Sequence, residues 1–217
     1  MFRMIVYTHW KWSRMFLLPC AVIAFALPVL SVQWAGEGNI IIDVIVLVEQ
    51  LSEHSIWYPL VAGAIGLIVA LTAWKEDHRG RHVYALSLPV PRWHYVLMRF
   101  AGGAVLVAVP VVALWLGALT ATASVTVPEG LRAYPNALAL RFALATFVSY
   151  AAFFAISSGT ERTAAYVLGG IGGFVALQLL LTSVGVDVNL LALLFRGMAS
   201  AGGPLAIFTG RWMLIDV

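Results

Sequence analysis

The chain has 217 residues, of which 62% are hydrophobic and only 11% charged, with a mean hydropathy of +0.93. That is more apolar surface than a soluble domain of this length can bury, which excludes an ordinary water-soluble fold and points to a lipid bilayer. A net charge of +3 is too small to mark a nucleic-acid-binding surface and suits membrane orientation instead.

In the opening stretch, MFRMIVYTHWKWSR, the apolar residues Phe2, Ile5, Val6, Trp10 and Trp12 alternate with Arg3, His9, Lys11 and Arg14. This pattern predicts an interfacial helix over residues 1–14, lying in the inner headgroup layer with its cations on anionic lipid. No small-residue cleavage site follows the first apolar run, so the start reads as a retained helix rather than a signal peptide. Five runs then contain no Asp, Glu, Lys or Arg: residues 15–36, 54–74, 100–128, 142–160 and 163–186. Each is close to or above the ~20 residues that cross about 30 Å of hydrocarbon, so five transmembrane helices are expected. Cys20, the single cysteine, lies in the first of them and permits no intrachain disulfide. Pro19, Pro28 and Pro110 fall inside spans and predict kinks.

After Asp187 the chain stays apolar but is broken by Arg196, Gly202-Gly203-Pro204 and Arg211. A sixth span, a re-entrant hairpin and an interfacial segment all fit; the sixth span is the expectation carried into the fold class. Between the first two spans, GNIIIDVIVLVEQLSEH is too short to cross before Glu49 and Glu53 intervene, and reads as an outer interfacial helix. With no soluble domain or internal repeat apparent, the expected architecture is an all-α polytopic membrane protein, one transmembrane domain over residues 1–217.

Basic residues orient it. Arg3, Lys11 and Arg14 precede span one, and Lys75, Arg79, Arg81, Arg92 and Arg99 lie between spans two and three. The first opposite loop has none, and the second has Arg132 and Arg141. The positive-inside rule then puts the N-terminus and the segment between spans two and three in the cytoplasm.

That segment, WKEDHRGRHVYALSLPVPRWHYVLMRF, concentrates the chain's polar chemistry. His78 and His82 are four apart and, with Asp77, could face one metal. Gly80 weakens the helix that would align them, however, and no third strong ligand is near, so no metal is expected. Val83, Leu86 and Leu88 restore an amphipathic pattern, Pro89 and Pro91 end any helix there, and Arg92, Trp93, His94 and Tyr95 form an interfacial belt before span three.

This segment resembles that of the permease subunits of type-2 ABC transporters. In these, span two is followed by an acidic residue or pair, a glycine, an amphipathic stretch running into proline, and a basic residue opening span three. Glu76, Asp77, Gly80, Leu86, Leu88, Pro89, Val90, Pro91, Arg92, Tyr95 and Arg99 match. The sequence departs from the pattern at Arg81, where a small hydroxyl residue is usual, and at Arg99, where lysine is frequent. The resemblance implies that residues 76–98 are a cytoplasmic coupling helix docking on a separate ATP-binding subunit, with Glu76, Asp77, Arg79, Gly80, Arg81, Leu88, Pro89 and Arg92 at the contact. It further implies a dimer of permeases, export as the direction, and ATP with magnesium held by the partner subunit rather than by this chain. The cell membrane is the expected location.

The spans fit that reading. Their interiors carry no ionised side chain, and Gln33, Ser149, Tyr150 and Gln178 are their main polar points. Ion-driven transporters and pumps place Asp, Glu, His or Arg there, so energy must be supplied from elsewhere. The chain itself has no G-x-x-x-x-G-K-[ST] phosphate loop, and no enzyme motif such as H-E-x-x-H or G-x-S-x-G. Gly169 and Gly173 form a GxxxG face for close helix packing, within the bundle or between subunits. The competing class is a non-transporting membrane anchor or assembly subunit, which equally needs no polar groups in its spans.

Overall fold

The computed structural model describes residues 2–36, 55–79, 91–124, 131–159, 161–184 and, beyond these, 189–190, 193, 197–198, 200, 203, 205–209, 212 and 214–216. Inside bilayer hydrocarbon no water meets backbone N–H and C=O groups, so an apolar run of spanning length must close its hydrogen bonds within itself as a helix. Among the described residues five α-helices result: α1 Phe2–Gly36, α2 Trp57–Arg79, α3 Arg92–Ala123, α4 Pro135–Ser157 and α5 Glu161–Ser183. Four of them contain stretches long and apolar enough to cross a membrane: Phe2–Gln33, Trp57–Trp74, Trp93–Ala123 and Pro135–Ser157. These correspond to the first four expected spans. The fifth expected span falls on α5, whose described apolar stretch is Gly172–Ser183.

The expected interfacial helix over residues 1–14 is continuous with the first span. No break in α1 separates the two, and at 35 residues the helix is about 52 Å long, well beyond the ~30 Å hydrocarbon core. The expected outer interfacial helix lies outside the described residues.

Residues 1–154 with 211–217 form one compact unit, and residues 155–210 a second. In the first, α1 packs along α3 and also touches α2, which itself packs against α3. Glycines permit the closest approaches. Gly117 of α3 backs onto the Phe25 carbonyl of α1, Gly66 of α2 onto the Ser149–Tyr150 backbone of α4, and Gly103 of α3 onto the Tyr150 hydroxyl. The Tyr150 hydroxyl donates to the Phe100 carbonyl at 2.9 Å, and Phe100 lies within 5.2–5.7 Å of the rings of Phe147, Tyr150 and Phe154. Two polar points expected inside the spans, Ser149 and Tyr150, are therefore part of the α2–α3–α4 packing. Pro28 and Pro110 are fully buried within α1 and α3.

The first unit also holds a two-stranded antiparallel pair, β1 Arg132–Ala133 with β2 Ile215–Asp216, in which Arg132 faces Asp216 and Ala133 faces Ile215. The Tyr134 N–H extends the ladder to the Leu214 carbonyl at 2.8 Å. The end of the chain is thereby tied to the α3–α4 connection.

In the second unit the Gln178 side-chain oxygen accepts from the Leu190 N–H at 2.7 Å, tying the stretch beyond α5 back to that helix. The expected sixth span does not form as one straight helix among the described residues. The chain reverses within the stretch: the Leu205 N–H reaches the Met198 carbonyl at 2.9 Å, and Gly203 sits so close against that carbonyl that a Cβ could not fit. Among the described residues after this turn there is a short 3-10 helix, Ala206–Phe208, and then β2. Gly203 favours reversal over a straight helix because glycine alone lets the backbone close this tightly.

Candidate coupling site

Residues 80–90, the middle of the segment expected to couple to a partner, lie outside the described residues, but both of its roots are described. Glu76, Asp77 and Arg79 fall on the last turns of α2, which stays helical to Arg79. Arg92 is the first residue of α3, with Pro91 at its N-cap at φ −53° and ψ 135°. Proline suits this place because its missing N–H would be unpaired at a helix start. The expected second helix start is thus present. Gly80, Arg81, Leu88 and Pro89 are among the residues not described.

What joins the roots is Arg99, two turns into α3 and only 7% exposed. Its Nε and Nη2 donate to the Tyr95 hydroxyl at 2.9 and 2.6 Å. Its Nη1 donates to the Ala73 carbonyl of α2 and meets His9 Nε2 of α1 at 3.3 Å. The guanidinium also lies 5.9 Å from the centre of the Trp74 ring and 5.2 Å from that of Tyr95. One side chain therefore bridges three helices.

The chemistry fixes roles within this cluster. Arginine only donates, so His9 Nε2 must accept, which assigns the imidazole proton to Nδ1. His9 is 2% exposed, and its Nδ1 has no hydrogen-bond partner among the described residues. One turn along the same face of α1, Ser13 is fully buried, and its Oγ is likewise without one. Gly102 makes room for the imidazole: a Cβ there would lie 3.4 Å from His9 Nδ1. A charge so enclosed is sustained by its hydrogen bonds, and removing one partner of such a buried charge costs about 3–5 kcal/mol.

Arg99, matched in the sequence as the basic residue that opens span three, turns inward among the helices. The signal that could have found it is the Tyr95–Arg99 spacing of four, which puts hydroxyl and guanidinium on one helix face. Its partners Ala73 and His9 lie in other helices and leave no local trace in the sequence.

At the other end of this unit a second cluster closes the bundle. Ser31 Oγ and the Tyr58 hydroxyl are 3.2 Å apart. The Tyr58 ring stacks on Trp212 at 6.3 Å with planes 7° apart, and the Arg141 guanidinium lies 4.6 Å from the Trp212 ring centre. Trp115 Nε1 donates to Asn136 Oδ1 at 2.9 Å, joining α3 to α4. At Gly169 and Gly173, the expected packing face, an added Cβ would meet nothing within 4 Å among the described residues. Among the described residues no group of three or more His, Cys, Asp or Glu side chains is placed to hold a metal ion.

A bundle of long apolar helices, with a polar stretch of sequence between its second and third helices, defines a polytopic membrane protein. The chain matches the ABC-2 family transporter proteins over residues 2–199 and belongs to that family. It is therefore a membrane transport component of the type-2 ABC class, as its 76–99 segment had suggested. No curated protein and no solved structure matches it.

Proposed function

We propose that this chain is the membrane permease of an ABC-type exporter that moves its substrate with ATP hydrolysed by a separate subunit. The observation that carries the reading is the family match, which spans the entire 76–98 segment. The coupling helix in this segment docks on the ATP-binding subunit through Glu76, Asp77, Arg79, Gly80, Arg81, Leu88, Pro89 and Arg92. ATP and magnesium belong to that partner. A second permease copy completes the transporter, with the Gly169–Gly173 face of α5 available for packing between subunits.

The protein sits in the cell membrane with its N-terminus in the cytoplasm and five spans. Five charge-free runs of spanning length support the count, and an odd number of crossings gives an outer C-terminus.

Purification of the tagged protein in mild detergent tests the function. A co-purifying P-loop ATPase is the expected result, and the double substitution of Asp77→Ala with Arg81→Ala should release it, or leave its hydrolysis insensitive to the permease. A complex without any nucleotide-binding chain would replace this reading with the membrane-anchor one.

A further inference from the structure

Arg99 occupies a place that the docking contact alone does not account for. It is not in the 80–92 stretch that would meet a partner, yet it is bonded to both roots of that stretch. On the α2 side it holds the Ala73 carbonyl and lies near the Trp74 ring; on the α3 side it holds the Tyr95 hydroxyl through two donors. A further contact, His9, brings in α1. Any push on residues 80–90 must pass through these roots to reach the membrane.

We infer that Arg99 is the transmission residue of this permease, a positioning residue that makes the α1, α2 and α3 ends move as one body when the coupling segment moves. The inference rests on the proposed function, since it assigns a role within ATP-driven coupling. Without the clamp, a displacement of residues 80–90 can be absorbed by local bending at either root. With it, a displacement of either root is delivered to the other and to α1, which packs along α3 as far as Gly117 and Phe25. Arginine suits this task because its planar guanidinium presents five N–H donors in a fixed fork, enough to hold partners on three helices at once. Lysine carries the same charge as a point on a flexible stem and cannot hold that geometry. His9 Nδ1, buried and without a hydrogen-bond partner among the described residues, is consistent with an imidazole oriented for Arg99 rather than for its own full satisfaction.

A purely structural staple would also bind three helices, so the test needs a readout that stability does not move. The permease–ATPase complex is reconstituted in lipid nanodiscs in a Cys20→Ala background, with a reporter cysteine, Ala137→Cys, on the exposed face at the start of α4, far from Arg99. The maleimide labelling rate of the reporter is compared with and without MgATP plus orthovanadate.

With Arg99 present, nucleotide trapping should change the labelling rate. With Arg99→Gln or Arg99→Lys, the ATPase should still co-purify and hydrolyse ATP, but the nucleotide-dependent change should be lost. A wild-type change in either variant overturns the inference. Should neither variant be recovered intact, Tyr95→Phe, which removes a single hydroxyl, serves instead: a reduced response supports the role and an unchanged one refutes it. If the unmodified protein brings down no ATPase, or its reporter ignores nucleotide, the proposed function itself fails, and the clamp's role falls with it.

Discussion

Replacing Trp212 by alanine should open the end of the bundle that lies opposite Arg99. Trp212 is 2% exposed, stacked on Tyr58 at 6.3 Å and covered by the Arg141 guanidinium at 4.6 Å. Removing so large a buried ring costs about 3–5 kcal/mol through lost contacts and the cavity left behind. The stacked pair contributes about 0.5–1.5 kcal/mol of aromatic interaction, and the guanidinium about 0.5–2 kcal/mol of cation–π attraction. These two overlap with the truncation cost and do not add to it.

The indole N–H has no hydrogen-bond partner among the described residues, so Trp212→Phe removes no such bond and keeps a ring against Tyr58. Its cost should be the smaller, about 1–2 kcal/mol, near that of a shape change in a packed site. At roughly 2–4 °C per kcal/mol for a chain of this size, the alanine variant should lose about 6 °C or more of thermal stability in detergent. The phenylalanine variant should lose no more than about half as much. The measurement is the temperature at which half of the purified protein leaves its monodisperse chromatographic peak. Equal losses for the two variants would refute the assignment of the stability to ring stacking, and no loss for alanine would refute the docking of the C-terminal segment altogether.

Two further outcomes test the packing and the topology. Gly117→Ala drives a Cβ into the Phe25 backbone carbonyl, which cannot rotate away as a side chain could; α1 and α3 must part, at about 1–3 kcal/mol. Gly169→Ala, where a Cβ meets open space, should leave the isolated protein's melting temperature unchanged; equal shifts for the two would contradict the packing of α1 on α3. For topology, a Cys20→Ala, Asp216→Cys protein in intact cells should react with a membrane-impermeant maleimide. Labelling that appears only after the membrane is permeabilised would place the C-terminus in the cytoplasm and break the five-span count.

Much of this architecture is legible in the sequence because the bilayer imposes it residue by residue. A run without charge and of sufficient length must become a helix wherever it crosses hydrocarbon, since its backbone has no other partner. That is why residues 54–74, 100–128 and 142–160 foretell α2, α3 and α4 to within a few turns. Pro91 and the charges from Lys75 to Arg92 likewise mark where α2 gives way to α3, through local backbone restriction. The 1–14 stretch shows the limit of such reading: an alternating apolar and basic pattern fits a surface helix, but nothing local records that α1 runs unbroken from Phe2 to Gly36.

Hydropathy by itself determined the class of protein and the positions of its first four spans, because each depends on the transfer of single residues between water and lipid. The order of residues around Gly80 to Arg99 pointed to the family. Tertiary structure alone decided that Arg99 is buried and bonded to three helices, that Tyr150 serves packing, and that Ile215 and Asp216 return as β2 beside β1. These outcomes depend on partners far apart in sequence. His9 is 90 positions from Arg99, and Trp212 is brought to Tyr58 and Arg141 only when the bundle has closed.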